Sequence, residues 1–209
     1  MVHCLVQINS MYATMNKPVT LEIPISVEKM IEGWSRLLYL RDFETEDHTR
    51  RVTVMALQLA RRLGLNDEKE MTAIRRGAQV HDIGKIAIPD EILHKTSALT
   101  EEEWRVMRQH PLVAVAMLNP IPGIEAALVI PRSHHEKWNG SGYPDGLAGT
   151  DIPLAARIFA FADVYDALTS DRPYRRAWSR RDALNYIRSE TGRHFDPSLT
   201  PEFIRMMLE

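Results

Sequence analysis

An all-α fold, a helical bundle, is what this sequence predicts, and two observations carry the prediction. From residue 26 onward, apolar side chains recur at three- and four-residue steps, the period of a helix buried on one face. The interruptions fall at residues suited to starting or stopping helices, among them Ser26, Gly64, Thr100 and Pro153. The 209 residues suffice for one substantial core with at most a small appendage.

Residues 1–25 stand apart from this pattern. Val2, Leu5, Val6 and Ile8, then Val19, Leu21, Ile23 and Ile25, are punctuated by Pro18 and Pro24. Thr20-Leu21-Glu22-Ile23 alternates as a short strand would, while the prolines suit an extended arm equally well. The segment is treated as an N-terminal extension or linker remnant, and residues 26–209 as the domain proper.

Ser26 caps a first helix carrying Val27, Met30, Ile31, Trp34, Leu37 and Leu38. Its apolar face can pack within the monomer or against a second copy, so a homodimer is one expectation. A second helix bears Val52, Leu57, Leu59, Ala60 and Leu63 and stops at Gly64. Asn66 can cap a third, running through Met71, Ile74 and Val80 to His81-Asp82. Thr100 and Glu103 form a capping box for a helix ending near His110-Pro111. Residues 123–130 read as helix, and residues 137–152, dense in Gly and Pro, as a long loop. Such a loop inside a bundle suggests function. Pro153 opens a helix with Leu154, Ile158, Phe159 and Leu168 on one side. Helices over Ser179 to Glu190 and Thr200 to Leu208 complete the domain.

Composition narrows the function. A hydrophobic fraction of 44% and a charged fraction of 26% are those of an ordinary globular protein. A formal charge of -2 supplies no global basic field, so no nucleic-acid partner is expected and an anionic substrate needs local cations. Cys4 is the only cysteine, which excludes an intrachain disulfide and fits a reducing cytoplasm. No apolar run approaches the roughly 20 residues of a spanning helix, and no signal pattern opens the chain, so a cytoplasmic protein without a membrane partner is expected.

The chemistry resides in histidines and acids: Glu44-x-x-x-His48, His81-Asp82, His110, His134-His135-Glu136 and Asp163-x-x-Asp166. Imidazoles and carboxylates are nitrogen and oxygen ligands, and their number exceeds what one tetrahedral ion needs, so two or three metals are implied. His81 and Asp82, read as neighbours on a helix, diverge by about 100° and can reach two adjacent ions with the carboxylate bridging. Lys85 lies four residues after His81 and three after Asp82, which aims its ammonium toward the same region. Gly84 permits a close approach there. The vicinal pair His134-His135 can be a surface coincidence or, behind Pro131, two rings converging on one ion. Asp163 and Asp166 share a face of an apolar helix, where a carboxylate needs a metal or a cation. Metal is preferred for Asp163, and the two readings stay level for Asp166. Arg172 and Arg175 flank Pro173; guanidiniums suit phosphate, and cations after a helix C-terminus also complement its dipole.

In combination these motifs resemble the HD-GYP family of HD-domain metallophosphohydrolases, bacterial cyclic-di-GMP phosphodiesterases. The resemblance covers about residues 26–205. It includes His48 to Val52, His81 to Asp90, Glu102 to Pro111, His134 to Trp138 with Gly140-Ser141-Gly142-Tyr143-Pro144, Asp163 to Ser170, Arg172 to Arg175, and Phe195-Asp196-Pro197. It implies that His48, His81, Asp82, His110, His134, His135 and Asp163 are metal ligands, with Glu44 serving a third ion. It further implies that Lys85, Arg172 and Arg175 hold substrate phosphates and that Asp82 and Lys85 are the catalytic groups. Lys95-Thr96-Ser97 stands where Lys-Pro-Gly is usual, Ala114 where Gly often follows, and Asp47 where Gly often precedes the first histidine. None of these removes a ligand.

The expected activity is metal-dependent hydrolysis of cyclic-di-GMP to linear pGpG, and on to GMP if a second cut follows, by a hydroxide bridging two or three divalent ions. Iron or manganese suits the ligand set. Another cyclic dinucleotide such as 3′,3′-cyclic GMP-AMP is the rival substrate, and a non-catalytic cyclic-di-GMP receptor the rival class. The Gly-Tyr-Pro loop could shape a guanine pocket, meet a partner such as a diguanylate cyclase, or merely brace the ligand-bearing loop.

Overall fold

A computed structural model describes residues 2–7, 20–42, 46–171 and 175–209, with side chains from residue 26 onward, Glu46 excepted. The alternation before residue 26 is a strand. β1 (Val2–Gln7) and β2 (Thr20–Ile25) pair antiparallel, Val2 opposite Ile25 and Gln7 opposite Thr20. After this hairpin the described residues form helices joined by turns and loops, with isolated bridges at Asn139–Ala148 and Thr191–Phe195.

The helix boundaries follow local chemistry. α1 (Val27–Arg41) begins where Ser26 Oγ accepts the Lys29 N–H at 3.3 Å. α2 (Glu46–Arg62) ends before Gly64, whose φ of 86° few other residues tolerate. α3 (Glu68–Gln79) is capped by Asp67 rather than Asn66: its carboxylate accepts the Lys69 and Glu70 N–H groups at 2.9 and 3.0 Å. A full negative charge suits the positive end of the helix better than an amide does. Asn66 instead donates to the Gly64 carbonyl.

A second difference bears on the site. α3 stops at Gln79, so His81 and Asp82 lie beyond it, followed by a 3₁₀ turn over Ile83–Ala87 and the short α4 (Asp90–Leu93). α5 (Glu101–Met107) carries the expected capping box, but His110 opens the next helix, α6 (His110–Leu118), instead of closing this one. Pro111 explains this, because proline is tolerated in a first turn and not in a helix interior. The helix expected over 123–130 is a 3₁₀ turn at Glu125–Ala127 and then α7 (Val129–Ser133), with Pro131 in its first turns. α8 (Leu154–Thr169), α9 (Arg180–Ser189) and α10 (Thr200–Leu208) match expectation.

Two apolar clusters result. The larger gathers Val52 and Leu59 of α2, Ile74 of α3, Ile130 of α7, Ile158, Phe159 and Phe161 of α8, Ile187 of α9 and Phe203 of α10. Phe161 stacks on Phe195 and Phe203 at 4.7 and 5.0 Å. The smaller joins Val27 and Ile31 of α1 to Val80, Ile83, Ala114 and Leu118. His81 and Asp82 fall between Val80 and Ile83 of the small core, while His134 and Asp163 issue from elements of the large one. The polar residues therefore meet at the seam. Among the described residues no helix is long and apolar enough to cross a membrane.

Candidate metal centre

His48 is the donor that α2 supplies to this cluster. Buried at 4% exposure, it directs Nδ1 to Asp166 Oδ2 at 2.7 Å and Nε2 toward Asp163 Oδ1 at 3.5 Å. Asp163 and Asp166, three residues apart on α8, thus take opposite sides of one ring. Arg51, one turn after His48, donates to both Asp166 oxygens, at 2.9 Å to Oδ2, and to Ser170 Oγ at 3.0 Å. Burial would push the Asp166 carboxyl up, yet hydrogen bonds from Arg51 and His48 hold it at about 2. Of the two readings open for Asp166, these contacts are those of support for a histidine.

Three further imidazoles share one device. His81 Nδ1 lies 2.9 Å from the Ala78 carbonyl, His110 Nδ1 2.8 Å from Met107, and His134 Nδ1 3.0 Å from Pro131. Only an N–H can satisfy a carbonyl, so Nδ1 carries the proton and a neutral ring presents its lone pair at Nε2. Those Nε2 atoms converge. His110 and His134 bring theirs to 3.4 Å from each other and to 3.2 and 3.4 Å from Asp82 Oδ1, while His81 Nε2 lies 3.2 Å from Asp82 Oδ2.

Such an arrangement is repulsive unless a cation stands among the lone pairs. Burial lowers the pKa of His134, and burial with the neighbouring His134 and His110 lowers that of His135, so both rings stay in the neutral form that binds metal. Burial alone would raise the Asp82 carboxyl, but the Lys85 charge beside it keeps it well below the usual carboxylate range. Asp82 Oδ1 is buried and accepts no hydrogen bond among the described residues. Donor atoms fall into two groups, Asp82, His110, His134 and His135 in one and His48, His81 and Asp163 in the other, each within 4.8 Å. Asp82 adjoins both, one oxygen facing each side, as a bridging carboxylate would. This nitrogen–oxygen set fits two neighbouring divalent ions.

Gly84 shows why the turn after Asp82 can pack here. A Cβ at that position would lie 1.9 Å from the His110 carbonyl oxygen and 2.7 Å from Ala114 N. The glycine lets the turn sit directly on α6 and sets Asp82 beside His110. Lys85, one residue on, brings Nζ to 2.8 Å from Asp82 Oδ2 and 3.2 Å from Asp42 Oδ2. The ammonium lies in the region of His81 and Asp82, where its spacing aims it.

Glu136 sits in the histidine–acid pattern but holds the loop instead. Its buried carboxylate accepts the N–H groups of Asp145, Gly146 and Leu147 at 2.7, 3.1 and 3.1 Å. Gly142 passes so close that a Cβ would be 2.4 Å from Glu136 Cα. This places Tyr143 on His135, rings stacked at 4.7 Å, with the Arg108 guanidinium 5.4 Å from the Tyr143 ring. Asp42, Arg51 and Arg108 are site residues to which sequence reasoning gave no role, although Arg51 lies in the His48 to Val52 motif and Arg108 in the Glu102 to Pro111 motif.

Glu44 and Arg172 lie outside the described residues. Arg175 donates to the Ala167 carbonyl near the end of α8 and lies 5.6 Å over the Trp178 ring. Its contacts are those of a C-terminal helix cap, the alternative weighed for this cluster.

Comparison with known proteins gives the family and the fold. The profile of the HD domain matches residues 33–199. The chain is 44% identical over 173 residues to the cyclic di-GMP phosphodiesterase response regulator RpfG of Xanthomonas campestris pv. campestris, covering 82% of this chain and 46% of that protein. It is 38% identical over 184 residues to the 3'3'-cGAMP-specific phosphodiesterase 2 of Vibrio cholerae, covering 87% of this chain and 34% of that one. The chain thus spans less than half the length of these curated relatives. A solved cyclic GMP-AMP-specific phosphodiesterase of Vibrio cholerae superposes with a TM-score of 0.64 at 18% identity, over 86% of this chain and 48% of that one, a likeness of fold.

Proposed function

The chain belongs to the HD-domain family, within its HD-GYP group, and from that premise we propose that residues 26–209 form a metal-dependent phosphodiesterase that opens cyclic-di-GMP to linear pGpG. A second cut would yield GMP. The observation that carries this reading is the pair of donor groups that adjoin at Asp82, a member of one whose Oδ2 lies 3.2 Å from His81 of the other, with the Lys85 ammonium 2.8 Å from that carboxylate.

His48, His81 and Asp163 would hold one ion and His110, His134 and His135 the other, with Asp82 between them and Glu44 available to a third. Iron or manganese suits these ligands. Bound ions would lower the pKa of water and neutralise phosphate charge. The protein's own groups do the rest. Lys85 sets an ammonium where charge develops on a non-bridging phosphate oxygen. Arg172 and Arg175 grip the second phosphate, which for Arg175 means leaving the Ala167 carbonyl. Arg51 and Asp166 fix the His48 ring, and Glu136 holds the loop that seats Tyr143 on His135.

Anaerobically purified protein loaded with iron or manganese should convert cyclic-di-GMP to pGpG, resolved by chromatography. Absence of any linear product would reject the proposal. The similarity to a cGAMP-specific enzyme favours 3′,3′-cyclic GMP-AMP as the second substrate to try. A larger kcat/KM for that dinucleotide would reassign specificity while leaving the chemistry intact.

Other features support wider assignments. The hairpin and any residues before α1 read as an extension to this domain. The lone cysteine suits action in the cytoplasm. Leu37 and Leu40, 52% and 79% exposed on α1, suit a homodimer, and the Gly140–Pro144 loop offers a surface to a diguanylate cyclase.

A further inference from the structure

Resting on the phosphodiesterase reading, we propose that Asp42 is a positioning residue that holds the Lys85 ammonium at the edge of the metal centre, with Arg41 holding the backbone beneath it. Asp42 is the C-cap of α1, its N–H donating to the Leu38 carbonyl at 2.7 Å, so its Cα has little freedom. Its carboxylate is 13% exposed and approaches Lys85 Nζ to 3.2 Å outside hydrogen-bond directionality, an ionic contact. A carboxylate buried to that degree is costly without a cation. Lys85 is the cation, and it stands between Asp42 and Asp82.

Two consecutive residues grip the lysine at both ends. The Arg41 guanidinium donates to the carbonyls of Lys85 itself, at 3.4 Å, and of Ile86 and Ile88, and to Asp90 at 2.8 Å. It ties the 3₁₀ turn bearing Lys85 to the end of α1. Asp42 then holds the tip of the side chain from the side away from Asp82. Lysine is a point charge on a flexible stem and does not hold a direction unaided. The ammonium lies 2.8 Å from Asp82 Oδ2, the oxygen that faces His81 at 3.2 Å, and 3.2 Å from Asp42 Oδ2, so both carboxylates fix its place. Asp42 is thus a second anchor beside Asp82, and the ammonium is preset for a phosphate.

The test pairs Asp42→Asn with Lys85→Ala on metal-loaded protein. Asp42→Asn should keep its metal content and lower kcat/KM for cyclic-di-GMP about tenfold, chiefly through KM, a change of about 1.4 kcal/mol. In the Lys85→Ala background the same substitution should have almost no further effect, since residues acting through one another are not additive. Additive losses, or a loss of metal in Asp42→Asn, would overturn the assignment. Should Asp42→Asn melt below the assay temperature, Asp42→Glu takes its place; its displaced carboxylate should change KM at constant metal content, and an unchanged KM would count against the role. If the wild type hydrolyses no dinucleotide, the phosphodiesterase reading fails by itself. The positioning is then read from a crystal structure of the Asp42 variant, where Lys85 Nζ should have moved, and an unmoved Nζ refutes it.

Discussion

His48 is committed through both ring nitrogens, and the contrast between its two partners explains what an aspartate does here. Asp163 faces Nε2 and shares the metal side of the ring, while Asp166 accepts from Nδ1 and is gripped by Arg51. An outer partner of this kind sets the tautomer and raises the basicity of the ligating nitrogen. Replacing Asp166 with Asn should therefore weaken metal binding by roughly 10–100-fold with the fold intact. Competition against a chromophoric chelator measures this, and wild-type affinity in Asp166→Asn would refute the role. Spacing could not separate the two aspartates, because residues three apart share a helix face. Only Arg51, brought from α2, distinguishes them. Glu136 was hidden in the same way: its neighbours in sequence are histidines, and its true partners are backbone N–H groups of a later loop.

At the scale of elements, much was legible because its causes are local. Ser26, Gly64 and the Thr100–Glu103 box act within one turn, and the helices they bound are where periodicity puts them. The turn after α3 was not legible, because its cause is distant. His81 and Asp82 leave the helix so that the following 3₁₀ turn can lie on α6, a contact that Gly84 alone permits. A methyl group there must displace the His110 backbone. Gly84→Ala should destabilise the domain by about 1–3 kcal/mol, the usual cost of forcing extra atoms into a packed site. It should also loosen the His110 ligand. Chemical denaturation reads the first effect, and an unchanged midpoint would mean that the turn is not clamped as described.

For the molecule as a whole, the site is a consequence of having two apolar cores. Val80 and Ile83 anchor the His81–Asp82 turn in the smaller one, while α2, α7 and α8 bring His48, His134 and Asp163 from the larger. His134 and His135 at this seam are buried enough to stay neutral, and the imidazoles gathered here are close enough to repel one another without a cation. The central claim is that these lone pairs enclose neighbouring metal ions. Elemental analysis of anaerobically purified protein, combined with anomalous diffraction from its crystals, tests this most directly. The account predicts at least two ions per chain, one beside His48, His81 and Asp163, the other beside His110, His134 and His135, with Asp82 touching both. A fully loaded protein with a single ion, or with none among these residues, would contradict it.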